Sequence, residues 1–327
     1  MPAHFVRRDF CPACHSSNVR TVFSRSYDEP HLRSVLQDFY GEPLRREYSM
    51  LDGATFALDH CGGCGLVFQK DVPDAVLLER LYTTWIDPDE ARRAHERSDT
   101  ATRRLDLVRT AYLSVSLIET EAGSRRALDF GSGWGEWAAA ARAFADESCG
   151  VELSEERRHY CQARGIRMLR EEELPADSFD LINLEQVLEH LPDPRRTLIV
   201  LAAALRPGGV IHIAVPNGRA MLTKLPRFDR EIDKPLGGAM HAVAPLQHLN
   251  CFDFGSLTAL AADCGLTRVR PSWDSLLRTA AFPGPPLRRA AKVMLRPAYQ
   301  RSRLSTDLHF VKPKKSSPAA PAICDPT

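Results

Sequence analysis

Cys11 and Cys14 in CPAC, and Cys61 and Cys64 in CGGC, form two C-x2-C pairs. One tight turn presents both thiolates of such a pair, and two turns complete a tetrahedral sulfur site for zinc. Gly62, Gly63 and Gly65 let the second turn close without steric cost. The 46 residues between the pairs far exceed the roughly 15–20 of a minimal finger, so the intervening segment must carry structure of its own. The expectation is a zinc-ribbon-like module with an insertion, its zinc structural. CPACH also reads as a haem-attachment string, but that chemistry requires export, and MPAHFVRRDF lacks an apolar signal core. A redox dithiol would sit beside a βαβ unit, whereas both pairs stand ahead of the α/β pattern. Cys149, Cys161, Cys251, Cys264 and Cys324 stand alone and read as small buried or surface thiols.

The second chemical signal is LDFGSGWGEWA, which holds Asp129, Gly131, Ser132, Gly133, Trp134 and Gly135. A short apolar run, a glycine-rich turn and a helix start follow one another here. Such a turn lets a ligand approach the backbone beside the positive end of a helix. Glu152 ends the next apolar run, 21 residues after Gly131, where a carboxylate can accept both hydroxyls of a ribose. A nicotinamide dinucleotide would want a further glycine where Glu136 stands, and an acid there repels a pyrophosphate. S-adenosylmethionine has no phosphate, and its sulfonium tolerates carboxylates and aromatic faces.

These groups need a frame. Residues 1–70 read as short strands and turns around the cysteines. Residues 73–121 are rich in helix formers, with Leu77, Leu78, Leu81 and Tyr82, then Leu105, Val108, Tyr112 and Val115, at helical spacing. From Arg125 strands alternate with helices. ALDF, SCGVEL, RML, FDLINL and VIHIAVP are the strands; EWAAAARAFA, SEERRHYCQARG, Arg195–Leu205 and SLTALAADCG are the helices. Ser154 and Asp253 are the expected N-caps, and Gly165 and Gly265 the expected stops. This alternation argues a mostly parallel sheet with helices on both faces. LHFVK is a late strand, Arg278–Lys315 is strongly basic and partly helical in pattern, and the final residues are low-complexity and expected to be disordered.

The glycine segment resembles motif I of the class I S-adenosylmethionine-dependent methyltransferases, D/E-x-G-x-G-x-G. DSFDLINLEQVLEHLPDPRRTLIVLAAALRPGGVIHIAVPNG resembles that family's fourth-strand, helix and fifth-strand segment, and QHLNCFDFGSLTALAADCGL the segment that follows. The front half resembles the zinc-binding module of some sugar and small-molecule methyltransferases. The resemblance implies a Rossmann-like seven-stranded α/β sheet with a reversed last strand, LHFVK, preceded by a small zinc-binding β-rich module. It implies that Asp129, Gly131 and Gly133 contact the methionine end, with Ser132 and Gly135 in the same turn. Glu152 would hold the ribose, Glu172 or Glu173 would lie near the adenine, Asn183, Leu184 and Glu185 would line the cofactor, and Trp134 would cover it. His190, just after the fourth strand, is the candidate base for an acceptor proton, with Glu189 a solvated neighbour. His241 and His248 flank a loop with two consecutive glycines and are candidate substrate contacts. Tyr27, His31, Tyr40 and Tyr48 read as the aromatic core of the cysteine module, or as groups reaching over the acceptor.

The expected division is 1–72 module, 73–121 helical linker, 122–312 methyltransferase domain and 313–327 tail. Lysine plus arginine is 43 against 42 acids, a net charge of +1 that argues against an obligate charge-driven nucleic-acid binder. The longest apolar run, Leu198–Leu205, has eight residues, too few for a membrane span. A cytoplasmic enzyme acting on a small-molecule acceptor is therefore expected. An RNA methyltransferase gripping RNA through the zinc module and the basic segment, and a non-catalytic scaffold on the same fold, are the alternatives.

Overall fold

The computed structural model describes residues 2–119, 123–232, 238, 240–279, 295 and 297–314. Its strands in chain order are β1 (Phe5–Arg7), β2 (Val19–Ser26), β3 (Thr55–Cys61), β4 (Val67–Gln69), β5 (Asp71–Pro73), β6 (Arg126–Phe130), β7 (Glu147–Val151), β8 (Arg167–Leu169), β9 (Phe179–Glu185), β10 (Leu205–Ala214), β11 (Asn250–Cys251), β12 (Thr267–Val269) and β13 (Asp307–Val311).

Seven of these form one sheet in the order β12-β13-β10-β9-β6-β7-β8. Strands β6 to β10 pair in parallel, and β13 runs antiparallel to both of its neighbours. This is the expected α/β sheet with LHFVK reversed. Its central strands are buried along nearly their whole length, as parallel strands covered on both faces must be. The strand order reverses between β6 and β9. In such sheets ligands bind in the crevice beyond the carboxyl ends of the strands at that switch, where Gly131 and Glu185 lie. Ser154 caps the helix Glu155–Ala163 and Asp253 caps Phe254–Asp263, as their positions in the sequence predict. The alanine-rich helix is shorter than EWAAAARAFA suggests, spanning Glu136–Ala141. The amides of Asp146 and Glu147 both bond the Arg125 carbonyl, which draws the chain out of the helix and into β7.

The N-terminal part differs from expectation. Residues 1–70 are not only strands and turns, because Pro30–Glu47 is a helix, bent at Gly41 with φ 69°. Its buried face is Leu32, Leu36, Tyr40 and Leu44, four residues apart. The four-stranded sheet beside it has the order β11-β4-β3-β2. Strand β11 comes from far along the chain, after β10. The core here joins Tyr27, Tyr40, Tyr48 and Phe56 to Met221, Phe228 and Leu246, so residues from after β10 complete it. His31 is exposed. Along the chain between β5 and β6 come helices Ala75–Arg80, Pro88–Ser98 and Ala101–Val115 and a wider turn, Leu81–Trp85. Among the described residues no helix is long and apolar enough to cross a membrane. Residues 280–294, 296 and 315–327, with part of the basic segment, most of the tail and Cys324, lie outside the described residues.

Candidate active site

The turn after β6 is held from below. Gly131 and Ser132 both donate their amides to the Val151 carbonyl, at 2.8 and 2.9 Å. Gly131, Gly133 and Gly135 all have positive φ, which glycine adopts without strain. Space is as restrictive as torsion, since a Cβ on Gly131 would lie 2.4 Å from Val187 and one on Gly135 2.6 Å from Ile166. Asp129 is buried beneath the turn. Its carboxylate accepts from Asn183 Nδ2 at 2.8 Å and from the Ala138 amide at 3.2 Å, and burial pushes its pKa up to about 7. The side chains of Asp129 and Asn183 therefore fasten the turn to β9. Asn183 in turn accepts from His212 Nδ1 at 2.8 Å, and His212 Nε2 donates to Asp307 at 2.9 Å.

Glu152 faces the same turn. Its Oε2 accepts the Gly133 amide at 2.8 Å, and its Oε1 accepts the Leu153 and Ser154 amides at 2.9 Å each. Leu153 beside it is 94% exposed. Trp134 stacks on His95 at 5.2 Å and meets Tyr160 edge-on. His95 and Arg103, from the two helices that precede β6, also approach Glu136, and Arg103 approaches Glu185. Sequence reading did not single out these two residues. Leu184 is wholly buried in the sheet core. Glu172 and Glu173 are exposed in a turn after β8.

A second cluster lies beyond β9, on the turn Leu188–His190. Here the structure corrects the expectation for Glu189. It is 1% exposed, not solvated, and burial pushes its carboxyl up to about 8. His190 Nδ1 lies 3.0 Å from the Gln247 carbonyl and 3.1 Å from the Tyr82 hydroxyl. A carbonyl only accepts, so Nδ1 carries the proton and Nε2 keeps its lone pair. Burial holds His190 down to about 4 and His248 down to about 3, so both rings are neutral near pH 7. His248 Nδ1 donates to the His241 carbonyl at 2.5 Å. The rings of His190 and His248, and of His241 and His248, are each 4.7 Å apart. All three histidines from the sequence reading thus come together, with Tyr82 and Glu189 added. Tyr82 is placed by the wider turn it sits on, where Glu47 binds Arg80 and accepts from Trp85 Nε1.

The four paired cysteines also converge. Cys11 and Cys64 sulfurs are 3.6 Å apart, Cys14 and Cys61 3.5 Å, and all four lie within 4.8 Å of one another. Tetrahedral thiolates at the usual metal–sulfur distance are separated by roughly 3.8 Å, so the spacing fits a metal. The Gly63 and Cys64 amides point at the Cys61 sulfur, a further stabilisation of a thiolate. Of the other cysteines, Cys149, Cys161 and Cys251 are buried and Cys264 is half-buried.

The chain is similar in sequence to proteins named as methyltransferases. The ubiquinone biosynthesis O-methyltransferase of Aromatoleum aromaticum is 29% identical over 154 residues, covering 40% of this chain and 63% of that protein. The protein of the same name from Methylococcus capsulatus is 27% identical over 146 residues, covering 41% of this chain and 56% of that one. The chain therefore spans about three fifths of the length of these relatives. Among solved structures, the plantazolicin methyltransferase BpumL in complex with SAH has a TM-score of 0.45 at 14% identity, covering 72% of this chain and 93% of that one. Residues 86–270, more than half of the chain, match the sequence family described as a methyltransferase domain, and the chain belongs to that family.

Proposed function

We propose that the protein transfers a methyl group from S-adenosylmethionine to a small-molecule acceptor. The observation that carries this reading is the bond from the Gly133 amide to Glu152, which sets a carboxylate and the glycine turn on one crevice at the sheet's switch point. Asp129 and Asn183 shape the turn from below rather than reach into the crevice. Glu152 is the ribose acceptor, the exposed Leu153 offers the adenine an apolar face, and Trp134 with His95 closes the crevice from above. Methyl transfer is a displacement in line with the sulfur–methyl bond, so the enzyme's work is alignment and, for a hydroxyl acceptor, acceptance of its proton. The cluster of Tyr82, Glu189, His190 and His248 is the acceptor side, and His190 Nε2 supplies the unprotonated nitrogen there. Cys11, Cys14, Cys61 and Cys64 hold a structural zinc. The test is incubation with methyl-labelled S-adenosylmethionine and a panel of hydroxylated small molecules beside total RNA. Label in the small-molecule fraction is expected. Label confined to RNA, or none transferred by cofactor-bound protein, contradicts the reading.

A further inference from the structure

Glu189 is a buried carboxylate in which neither oxygen has a hydrogen-bond partner among the described residues. Burying such a group in its charged form without partners costs several kcal/mol, so it is paired, given a cation, or, with its pKa raised to about 8, left protonated while nothing binds it. The nearby protein groups do not supply the missing charge. His190 Nε2 lies 3.8 Å from Glu189 Oε1, outside hydrogen-bond reach, and carries a lone pair rather than a proton. His248 presents the same arrangement, its Nδ1 proton committed to the His241 carbonyl. One donor atom from each of Glu189, His190 and His248 falls within a common 4.8 Å.

That pattern has a chemical meaning. A histidine that binds a metal through one ring nitrogen donates its other N–H to a carbonyl or carboxylate, which fixes the tautomer and aims the lone pair. Both imidazoles here have that second bond from Nδ1, each to a main-chain carbonyl, which leaves Nε2 as the nitrogen with the free lone pair in each ring. His190 Nε2 lies 3.8 Å from the orphaned carboxylate. We propose that Glu189, His190 and His248 bind a divalent transition-metal ion through one carboxylate oxygen and two imidazole Nε2 atoms. Two imidazoles and one carboxylate suit zinc, iron, cobalt or manganese, and three protein ligands leave coordination positions open. This site is separate from the cysteine site, whose donors are all sulfur. If the cluster is the acceptor side of a methyltransferase, an acceptor oxygen takes an open position and the metal lowers its pKa, which replaces the metal-free role of His190 Nε2 as proton acceptor. That clause rests on the proposed methyl transfer; the metal site itself does not.

The test uses tag-free, full-length protein with its cysteine site loaded with zinc and excess zinc removed. Cobalt(II) is titrated by calorimetry and by absorption. A single equivalent of cobalt is expected, without a sulfur-to-cobalt charge-transfer band. Glu189→Gln and His248→Gln are each expected to weaken binding by about tenfold or more. Three results overturn the proposal: no cobalt bound by the zinc-loaded protein, a sulfur charge-transfer band in its place, or unchanged affinity in both variants. The spectrum of the unaltered protein decides even if a variant fails to fold. S-adenosylhomocysteine affinity is measured on the same sample. Binding of that ligand without cobalt sinks the metal site alone, and cobalt without that ligand leaves the metal site standing while the methyltransferase reading falls.

Discussion

Gln69 on β4 donates its side-chain amide to the main-chain oxygens of His248 and Ala244, at 3.0 and 3.2 Å. Gln69 is buried, so its removal leaves two carbonyls without that donor at a cost of about 1–3 kcal/mol. Arg8 adds bonds to the carbonyls of Gln69 and Leu249 and to Asn250. The cysteine module is thereby bonded to the loop that carries His248. Gln69→Ala is expected to lower kcat/KM for the acceptor about tenfold while S-adenosylhomocysteine affinity stays within twofold of the parent. Equal losses in both would show that Gln69 supports the whole fold rather than the acceptor side.

The cysteine site is tied to the same structure. Cys11 and Cys61 pack in one cluster with Leu66 and Phe68, next to the strand that bonds β11. Cys61→Ser is expected to lose the cysteine-site zinc, measured by elemental analysis, and to lower the melting temperature by several degrees. Metal-free protein that melts where the loaded protein does would remove the structural role.

Gly131 tests the turn by shape. A Cβ there meets Val187 Cγ2 at 2.4 Å, and φ is +74°. The torsion alone costs an alanine roughly 1–2 kcal/mol. Gly131→Ala is expected to weaken S-adenosylhomocysteine binding by about tenfold or more, and Gly131→Ala with Val187→Ala to recover only part of it. Full recovery in the double variant would mean that the contact, and not the left-handed torsion, sets the requirement for glycine.

His212 spans the sheet beneath the crevice. It donates from Nδ1 to Asn183 and from Nε2 to Asp307, which requires the protonated ring. Burial opposes that charge, but the bond and charge of Asp307 raise the pKa above the usual value, while Asp307 is held below the carboxylate range. A folded pKa raised above the unfolded one gives stability that is present below about 6.5 and lost as pH rises through the folded value. The His212 imidazole resonance, assigned with His212→Gln, is expected to titrate above 6.5, and below it in Asp307→Asn. A parent midpoint under 6.5 would leave the ring neutral and the chain to Asn183 differently bonded.

What the sequence made legible follows local rules. The runs ALDF and FDLINL are apolar enough to be buried on both faces, and Ser154 and Asp253 cap their helices through bonds three residues long. The helix Pro30–Glu47 was obscured because Gly41 and Pro43 interrupt its pattern, although Leu32, Leu36, Tyr40 and Leu44 hold the spacing. Residues 250–251 pair with β4 across some 180 positions of chain, which no periodicity announces. Glu189 reads as solvated by residue type alone; its burial comes from the tertiary packing of the Leu188–His190 turn, which no local pattern announces. His95 and Arg103 reach the glycine turn because two helices fold over it, and helical spacing says nothing of that neighbour.

The most direct measurement is calorimetric titration of the purified protein with S-adenosylhomocysteine, beside Glu152→Ala. Glu152 bonds Gly133 across the crevice, so the variant removes the carboxylate that the ribose would meet. Micromolar binding, weakened by about tenfold or more in a variant whose circular dichroism matches the parent, is the expected result. No binding by well-folded protein, or equal affinity in the two, would contradict a cofactor site between the glycine turn and Glu152.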